Sequence, residues 1–301
     1  MPSRQTVLIT GAGGVGRAVI AELRARDVPV RVMVRRDDER AAELRRFGAE
    51  VVTGDLTRPE TVAAGLQDVR RMYFAMSVSR DHLLAATVVA TVAREYGNLE
   101  ALVGVSQMTV SQMTATSTDE SHQQRLHWLA EQVLNWSGLP VIHIRPTSFL
   151  DNPLFTALAA QSIKRDGTLA LPFGSGRTSP VAVGDVARVA ATVLGDPRGH
   201  VGNVYELTGP QTMDMGEMAE SYSRALGRPV VYADVPLQQW RTEVLAGLGL
   251  SRHIEEHIVT MCRLHQENRY DRATDDIARV TGVPAQTVEQ FVSAHKGLYV
   301  D

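Results

Sequence analysis

The run Gly11-Ala-Gly-Gly-Val-Gly16 follows a short apolar stretch, Val7–Thr10. It opens a segment whose residues Val15, Val19, Ile20 and Leu23 keep the three/four spacing of one buried helical face. Glycines between a strand and a helix have a mechanism. Gly11 allows the tight turn, Gly13 lets the backbone approach a pyrophosphate, and Gly16 lets helix pack on strand. The helix start at Gly13, Gly14 and Val15 offers N–H groups to phosphates. In this setting the motif predicts a dinucleotide site; the plainer reading is a structural turn. The next β-rich run, Val30–Val34, ends in Arg35-Arg36, where an NAD site carries an acidic residue for the ribose 2′-hydroxyl. Two guanidiniums suit a 2′-phosphate, so NADP(H) is the expected cofactor, with Arg35 the main contact; the alternative is a solvated turn running into Asp37-Asp-Glu-Arg40. Asp55-Leu56, after the third run, stands where an adenine ring would lie. Asp55 is read either as a partner of the exocyclic amine or as a cap or turn residue.

Other chemistries are excluded or weakened by counting. Cys262 is the only cysteine, which rules out an intrachain disulfide, a Cys₄ zinc site and a Cys-x-x-Cys pair. Only Lys164 and Lys296 occur, and no Gly-x-x-x-x-Gly-Lys-Ser/Thr is present, so a P-loop ATPase is out. His253-Ile-Glu-Glu-His257 matches an inverted zinc-peptidase pattern, with both histidines on one helical face. A catalytic zinc also needs a third protein ligand, so no metal is expected and these histidines are read as lining a covering lobe or facing solvent. With 31 basic against 34 acidic side chains the formal charge is −3, leaving no diffuse basic field for nucleic acid or an anionic membrane. Met-Pro-Ser-Arg-Gln-Thr leads into four apolar-favouring residues, too few for a signal-peptide core, and Leu83–Ala93 is too short to span a bilayer. The expectation is a soluble, cytoplasmic protein.

The elements that must position these residues follow from periodicity. Strands are predicted at Thr6–Thr10, Val30–Val34, Glu50–Thr53, Arg71–Ala75, Leu99–Val105 and Val141–Arg145. Between them, helices are predicted at Val15–Arg26, Asp37–Phe47, Pro59–Leu66, His82–Tyr96 and Glu120–Ser137. This alternation predicts an α/β fold: a doubly wound parallel Rossmann sheet. Val105-Ser-Gln-Met-Thr repeats at once as Val110-Ser-Gln-Met-Thr114 and reads as a loop after the fifth strand. Beyond Pro146 the pattern loosens. Short strands are expected at Thr178–Val181 and Asn203–Leu207, and a mostly helical stretch from Met213, broken at Gly227, Gly247 and Gly282. Residues 1–146 are therefore expected to form the dinucleotide-binding domain, and 147–301 a smaller substrate lobe partly interleaved with the sheet. Met213, Met215 and Met218 are expected in a core, and Trp128 and Trp136 as packing anchors.

With these elements placed, the chain resembles the NmrA-like branch of atypical short-chain dehydrogenases over essentially its whole length. The matching runs are Trp136-Ser-Gly-Leu-Pro140, Ile144-Arg-Pro-Thr-Ser-Phe-Leu-Asp-Asn152, Ser179-Pro-Val-Ala-Val-Gly-Asp185-Val-Ala187 and Tyr205-Glu-Leu-Thr-Gly-Pro210. The family loop reads Thr-Gly-Ala-Thr-Gly-x-x-Gly, whereas the last two glycines here stand one residue closer. The resemblance implies that Ala75, Met76 and Ser106 pass beside the cofactor. It implies that Pro146 and Thr147 present backbone groups to the nicotinamide carboxamide, and that Met108, Phe149 and Asn152 border the substrate; core packing is an equal reading for Phe149. The family includes NADPH-dependent quinone, dye and carbonyl-type reductases and also NADP-binding regulators.

Conventional members of the wider superfamily use Tyr-x-x-x-Lys, the lysine lowering the tyrosine pKa. The residues four before the two lysines are Ala160 and Val292, so this chain has no such pair. At the aligned helix Gln123 stands in the tyrosine place and His127 in the lysine place, with Glu131 a turn on. His127 is the candidate proton donor, or a hydrogen-bond partner of the nicotinamide ribose; an orienting, partly buried histidine is the plainer reading. The functional expectation is an NADP-dependent oxidoreductase passing hydride to a small electron-poor substrate, such as a quinone, enone, imine or carbonyl. The alternative is a non-catalytic NADP(H) sensor acting on a protein partner.

Overall fold

The computed structural model describes residues 5–300; Met1-Pro-Ser-Arg4 of the N-terminal reading above lie outside them. In chain order, β1 (Val7–Ile9), α1 (Gly14–Ala25), β2 (Val30–Val34), α2 (Glu39–Arg46), β3 (Glu50–Thr53), α3 (Pro59–Leu66), β4 (Arg71–Phe74), α4 (His82–Tyr96), β5 (Ala101–Val105), α5 (His122–Trp136) and β6 (Val141–Pro146) alternate. Then come α6 (Ala160–Asp166), β7 (Thr168–Leu171), α7 (Val183–Gly195), β8 (Val204–Leu207), α8 (Met215–Leu226), β9 (Val231–Asp234), α9 (Leu237–Trp240), α10 (Arg252–Gln266), α11 (Asp276–Thr281) and α12 (Val288–Ala294). Local chemistry sets many of these boundaries. Asp38 caps α2 by accepting from the Arg40 and Ala41 N–H groups. Pro59 starts α3, where its missing N–H costs nothing, and α4 stops at Gly97 in the left-handed region.

The chain divides into two compact units. The first takes the described part of Met1–Met113 with Gln123–Arg145 and Val186–Tyr205. The second takes Thr114–His122, Pro146–Asp185 and the described part of Glu206–Asp301.

A seven-stranded sheet runs in the order β3-β2-β1-β4-β5-β6-β8. The strand pairs from β3 through β6 are parallel, Ile9 lying beside Val32 on one side and Tyr73 on the other. The order reverses between β1 and β4, so right-handed crossovers on either side of that point send helices to opposite faces. Leu8, Met33, Leu66, Phe74, Val89, Leu102, Ala130 and Leu134 close one core of this first unit.

The second unit has its own core, with Phe155, Phe173, Tyr222, Trp240 and Phe291, and Met213, Met215 and Met218 buried in it. Its small parallel sheet pairs β7 with β9; neither strand stands out in the sequence, because each has four residues and Val231 is exposed. The strand expected at Thr178–Val181 is only a pair of isolated bridges, Thr178 to Met213 and Phe149 to Val181. Pro180 lacks the N–H that a continuing ladder needs. Trp136 is a second correction: it is 76% exposed, at the end of α5, and anchors no core.

A β-carbon on Gly11 would stand 2.5 Å from the Ala75 carbonyl oxygen, and Gly11 has φ +67°, whereas around Gly13 nothing lies within 4 Å. Gly11→Ala should therefore cost about 2–4 kcal/mol of stability and Gly13→Ala less than about 0.5. Urea unfolding of the two variants checks this, and equal losses would contradict the close approach.

Candidate dinucleotide site and histidine cavity

The glycine loop sits where the strand order reverses, in the crevice beyond the carboxyl ends of β1 and β4. Thr10, fully buried, fixes that crevice. Its hydroxyl lies 2.9 Å from the Ala75 carbonyl and 3.1 Å from the Ala75 N–H, tying the end of β1 to the end of β4. The sequence reading passed over Thr10, although a hydroxyl closing the apolar run Val7-Leu-Ile was its signal. Gly16 is as constrained as Gly11, a β-carbon there meeting the Gly11 carbonyl at 2.3 Å. Gly13 and Gly14 instead border open space. The start of α1 has no side-chain cap and no acidic residue in its first turn, so its N–H groups and the positive end of its dipole are left for an anion.

Arg35 and Arg36 leave the end of β2 exposed, and neither guanidinium has an ion pair or hydrogen bond among the described residues. Asp37 instead pairs with Arg45 at 2.7 Å. Asp55 takes up the turn role: its Oδ1 accepts from the Thr57 N–H at 2.9 Å and the Thr57 hydroxyl at 2.8 Å. Those bonds, with Arg35 and Arg58 nearby, hold its carboxyl below the ordinary carboxylate range. Leu56 and Met76 pack on the edge of the first unit's core.

In the same unit, His127 belongs to a cluster the sequence did not reveal. Phe74, His82, Gly104, Ser106, His127, Glu131 and His143 line a cavity of about 10 Å³ in the first unit. The His82 and His127 rings lie 4.0 Å apart, tilted by 45°. Burial pushes the His82 imidazole down to about 4, so it is neutral at physiological pH. Glu131 is not a solvated residue: it is buried, and both its oxygens are held by Arg145, at 3.0 and 2.5 Å. Gln123 accepts from the Ser79 N–H at 3.1 Å, and Gln124 donates to the Thr109 hydroxyl at 2.8 Å. Together they fasten the loops after β4 and β5 to the start of α5. Met108, in the tight turn of the second loop, is fully buried. His143 was legible in retrospect, as a histidine inside the apolar strand Val141-Ile-His-Ile144.

Residues 3–294 match the sequence profile of the NmrA-like family. The chain belongs to the NmrA-like family. It is 29% identical over 295 residues to an NAD(P)H azoreductase of Xenophilus azovorans, covering 97% of this chain and 98% of that one. Its fold is similar to that of the triphenylmethane reductase of Citrobacter sp. complexed with NADP(H), with a TM-score of 0.81, 22% identity, and 96% and 99% of the two chains covered. It is also similar to NmrA, a negative transcriptional regulator solved with NADP, at a TM-score of 0.80, 17% identity, and 96% and 94% coverage.

Within this NmrA-like chain, the remaining predicted residues lie in the second unit. The Thr147 N–H donates to the Leu207 carbonyl at 3.0 Å, and its buried hydroxyl has no partner among the described residues. Pro146 has no N–H to give. Phe149 is half-buried beside Val181, and Asn152 Oδ1 accepts from the Leu154 N–H at 2.9 Å, capping the helical segment that follows. His253 and His257 do not face solvent. Both are buried, and His257 Nδ1 lies 2.8 Å from the Ser121 hydroxyl. Among the described residues no three His, Cys, Asp or Glu side chains are gathered as a metal site would be. His265 is stacked between Phe173 and Tyr270, with ring centroids 4.2 and 3.8 Å away.

His82, His257 and His265 are each lowered to about 4, chiefly by burial. In the unfolded chain a histidine titrates near 6.5, so between these values the unfolded state binds more protons. Their stabilisation is complete above about pH 6.5 and falls as pH drops toward 4, by about 1.4 kcal/mol per pH unit for each histidine. Urea unfolding at pH 7 and pH 5 should show this slope, and His265→Phe should remove one histidine's share. A flat profile would contradict the buried, neutral assignment.

Proposed function

We propose that this protein is an NADPH-dependent reductase of small electron-poor compounds. One observation carries the reading. An uncapped helix start and two open glycines lie at the sheet's reversal point, in the same unit as the exposed, unpaired Arg35 and Arg36. That donor set fits a dinucleotide phosphate at the helix start and a 2′-phosphate at the arginines. Gly11, Gly13, Gly14, Val15 and Gly16 would cradle the pyrophosphate, Arg35 and Arg36 would hold the 2′-phosphate, and Asp55 and Leu56 would border the adenine. Ala75, Met76, Ser106, His127, Pro146 and Thr147 are assigned to the ribose and nicotinamide half. The resemblance to an NAD(P)H azoreductase along almost the full length supports the same class.

The cofactor supplies a hydride. The chain's own contribution is to position it, exclude water and provide a proton. His127 is the proposed donor, because its imidazole is half-buried beside a neutral His82 and the chain has no Tyr-x-x-x-Lys pair. Quinones, enones, imines, reactive carbonyls and azo compounds accept hydride readily, so a weak acid and good positioning suffice. We assign Met108, Phe149 and Asn152 to the substrate. The second reading, a non-catalytic NADP(H) sensor with a protein partner, is favoured by Gln123 standing where a catalytic tyrosine would.

The test is loss of nicotinamide absorbance across a panel of these acceptors, after calorimetric measurement of NADPH binding. Turnover with any of them is expected; tight binding with none transfers the assignment to the sensor. Arg35→Ala should weaken NADPH binding by roughly 10- to 100-fold while sparing NADH, and an unchanged NADPH affinity would refute the 2′-phosphate contact. His127→Ala should lower kcat by about 10²–10⁴; full turnover would remove it as proton donor.

A further inference from the structure

Around the histidine cavity, His82 Nδ1, Ser106 Oγ and His143 Nδ1 are buried with no hydrogen-bond partner among the described residues. All three residues line the same cavity, and its volume of about 10 Å³ is the room of one water molecule. Leaving such buried atoms unsatisfied is costly, whereas a buried water with about three partners is an ordinary component of a folded protein. The three residues come from different elements, α4, the end of β5 and the middle of β6. Their convergence therefore belongs to the tertiary fold and not to any one segment.

We propose that this cavity is a one-water site bonded to His82, Ser106 and His143, and that through His82 it holds the His127 ring in a single orientation. His82 is then a positioning residue. Its ring is packed between Phe74, 5.9 Å away, and His127, 4.0 Å away. A water bonded at its Nδ1 restrains rotation of the His82 ring, and with it the surface against which the His127 ring packs at 4.0 Å. On the far side, His143 Nε2 lies 2.8 Å from Asn135 Oδ1, which fixes that ring and keeps its Nδ1 toward Gly104 and the cavity. The charged neighbours are the Glu131 carboxylate and the Arg145 guanidinium, bonded to each other. Burial lowers both His82 and His143, in keeping with neutral rings that accept from a water. The consequence for turnover rests on His127 being the proton donor; the water and the ring order do not.

High-resolution diffraction of the protein tests the site directly. The expected result is a water about 2.6–3.2 Å from at least two of the three atoms; a dry cavity, or a water bonded to one atom or none, overturns the proposal. Imidazole ¹⁵N spectra test the positioning without any substrate. His127 should show one tautomer in the wild type and a mixture in His82→Phe, which keeps a ring but removes the nitrogen, with His82→Asn restoring part of the order. On a substrate that is turned over, His82→Phe should lower kcat by roughly 10- to 100-fold and leave the KM for NADPH unchanged. His143→Leu, which leaves the His82–His127 contact in place, should disorder His127 in the same direction. If both variants leave the His127 signals as in the wild type, the positioning role is refuted, whether or not the protein is a reductase.

Discussion

The backbone of Gly11 lies against Ala75 at the point where the strand order of the sheet reverses, and a single methyl group would not fit between them. Thr10 locks the contact from the buried side, its hydroxyl bonded to both backbone groups of Ala75. Because β1 and β4 are held this tightly, α1 must start immediately above the crevice, with Gly16 packed on Gly11 and the N–H groups of the first turn turned outward. The arginines at the end of β2 and the loop after β3 are placed by the same parallel register. The proposed cofactor site is thus a consequence of one close backbone approach, repeated in the geometry of its neighbours.

The chemistry is built differently. With two lysines in the chain, neither preceded by a tyrosine at the fourth position, positive charge rests on arginine, and the proposed proton transfer is assigned to histidine. Arginine cannot give up its proton, so Arg35 and Arg36 are assigned to recognition in the proposed site, while Arg145 neutralises the buried Glu131. Histidine can exchange its proton near neutral pH. Burying His82 beside His127 keeps one ring neutral and leaves the other as the ring assigned to proton transfer. A weak acid of this kind matches acceptors that need little activation.

Much of the first unit was legible because its signals are local. β2, β3, α3 and α4 begin and end at the residues that periodicity and caps indicate, and a run of apolar strands between helices allows one topology class. The glycine spacing identified the loop because Gly11 takes the left-handed turn and Gly16 packs on the Gly11 carbonyl five residues back, while Gly13 and Gly14 border open space. The second unit was less legible. β7 and β9 are four-residue runs that pair across about sixty residues, and the bridges near Pro180 carry no ladder. Nor could spacing reveal the histidine cavity, since His82, Ser106, His127 and His143 meet only after β4, β5 and β6 lie side by side. Trp136 misled for a related reason: its size suggested a core anchor, while its place at the end of α5 leaves it in solvent.

The proposed reductase passes hydride from NADPH held in one orientation on this fold. The most direct measurement follows deuterium through turnover, using NADPH labelled at nicotinamide C4 on one face or the other, with the best acceptor of the panel. The account predicts that oxidised cofactor recovered from one labelled form retains all its deuterium and that from the other retains none. Absence of oxidation with every acceptor, or partial loss from both forms, would contradict it.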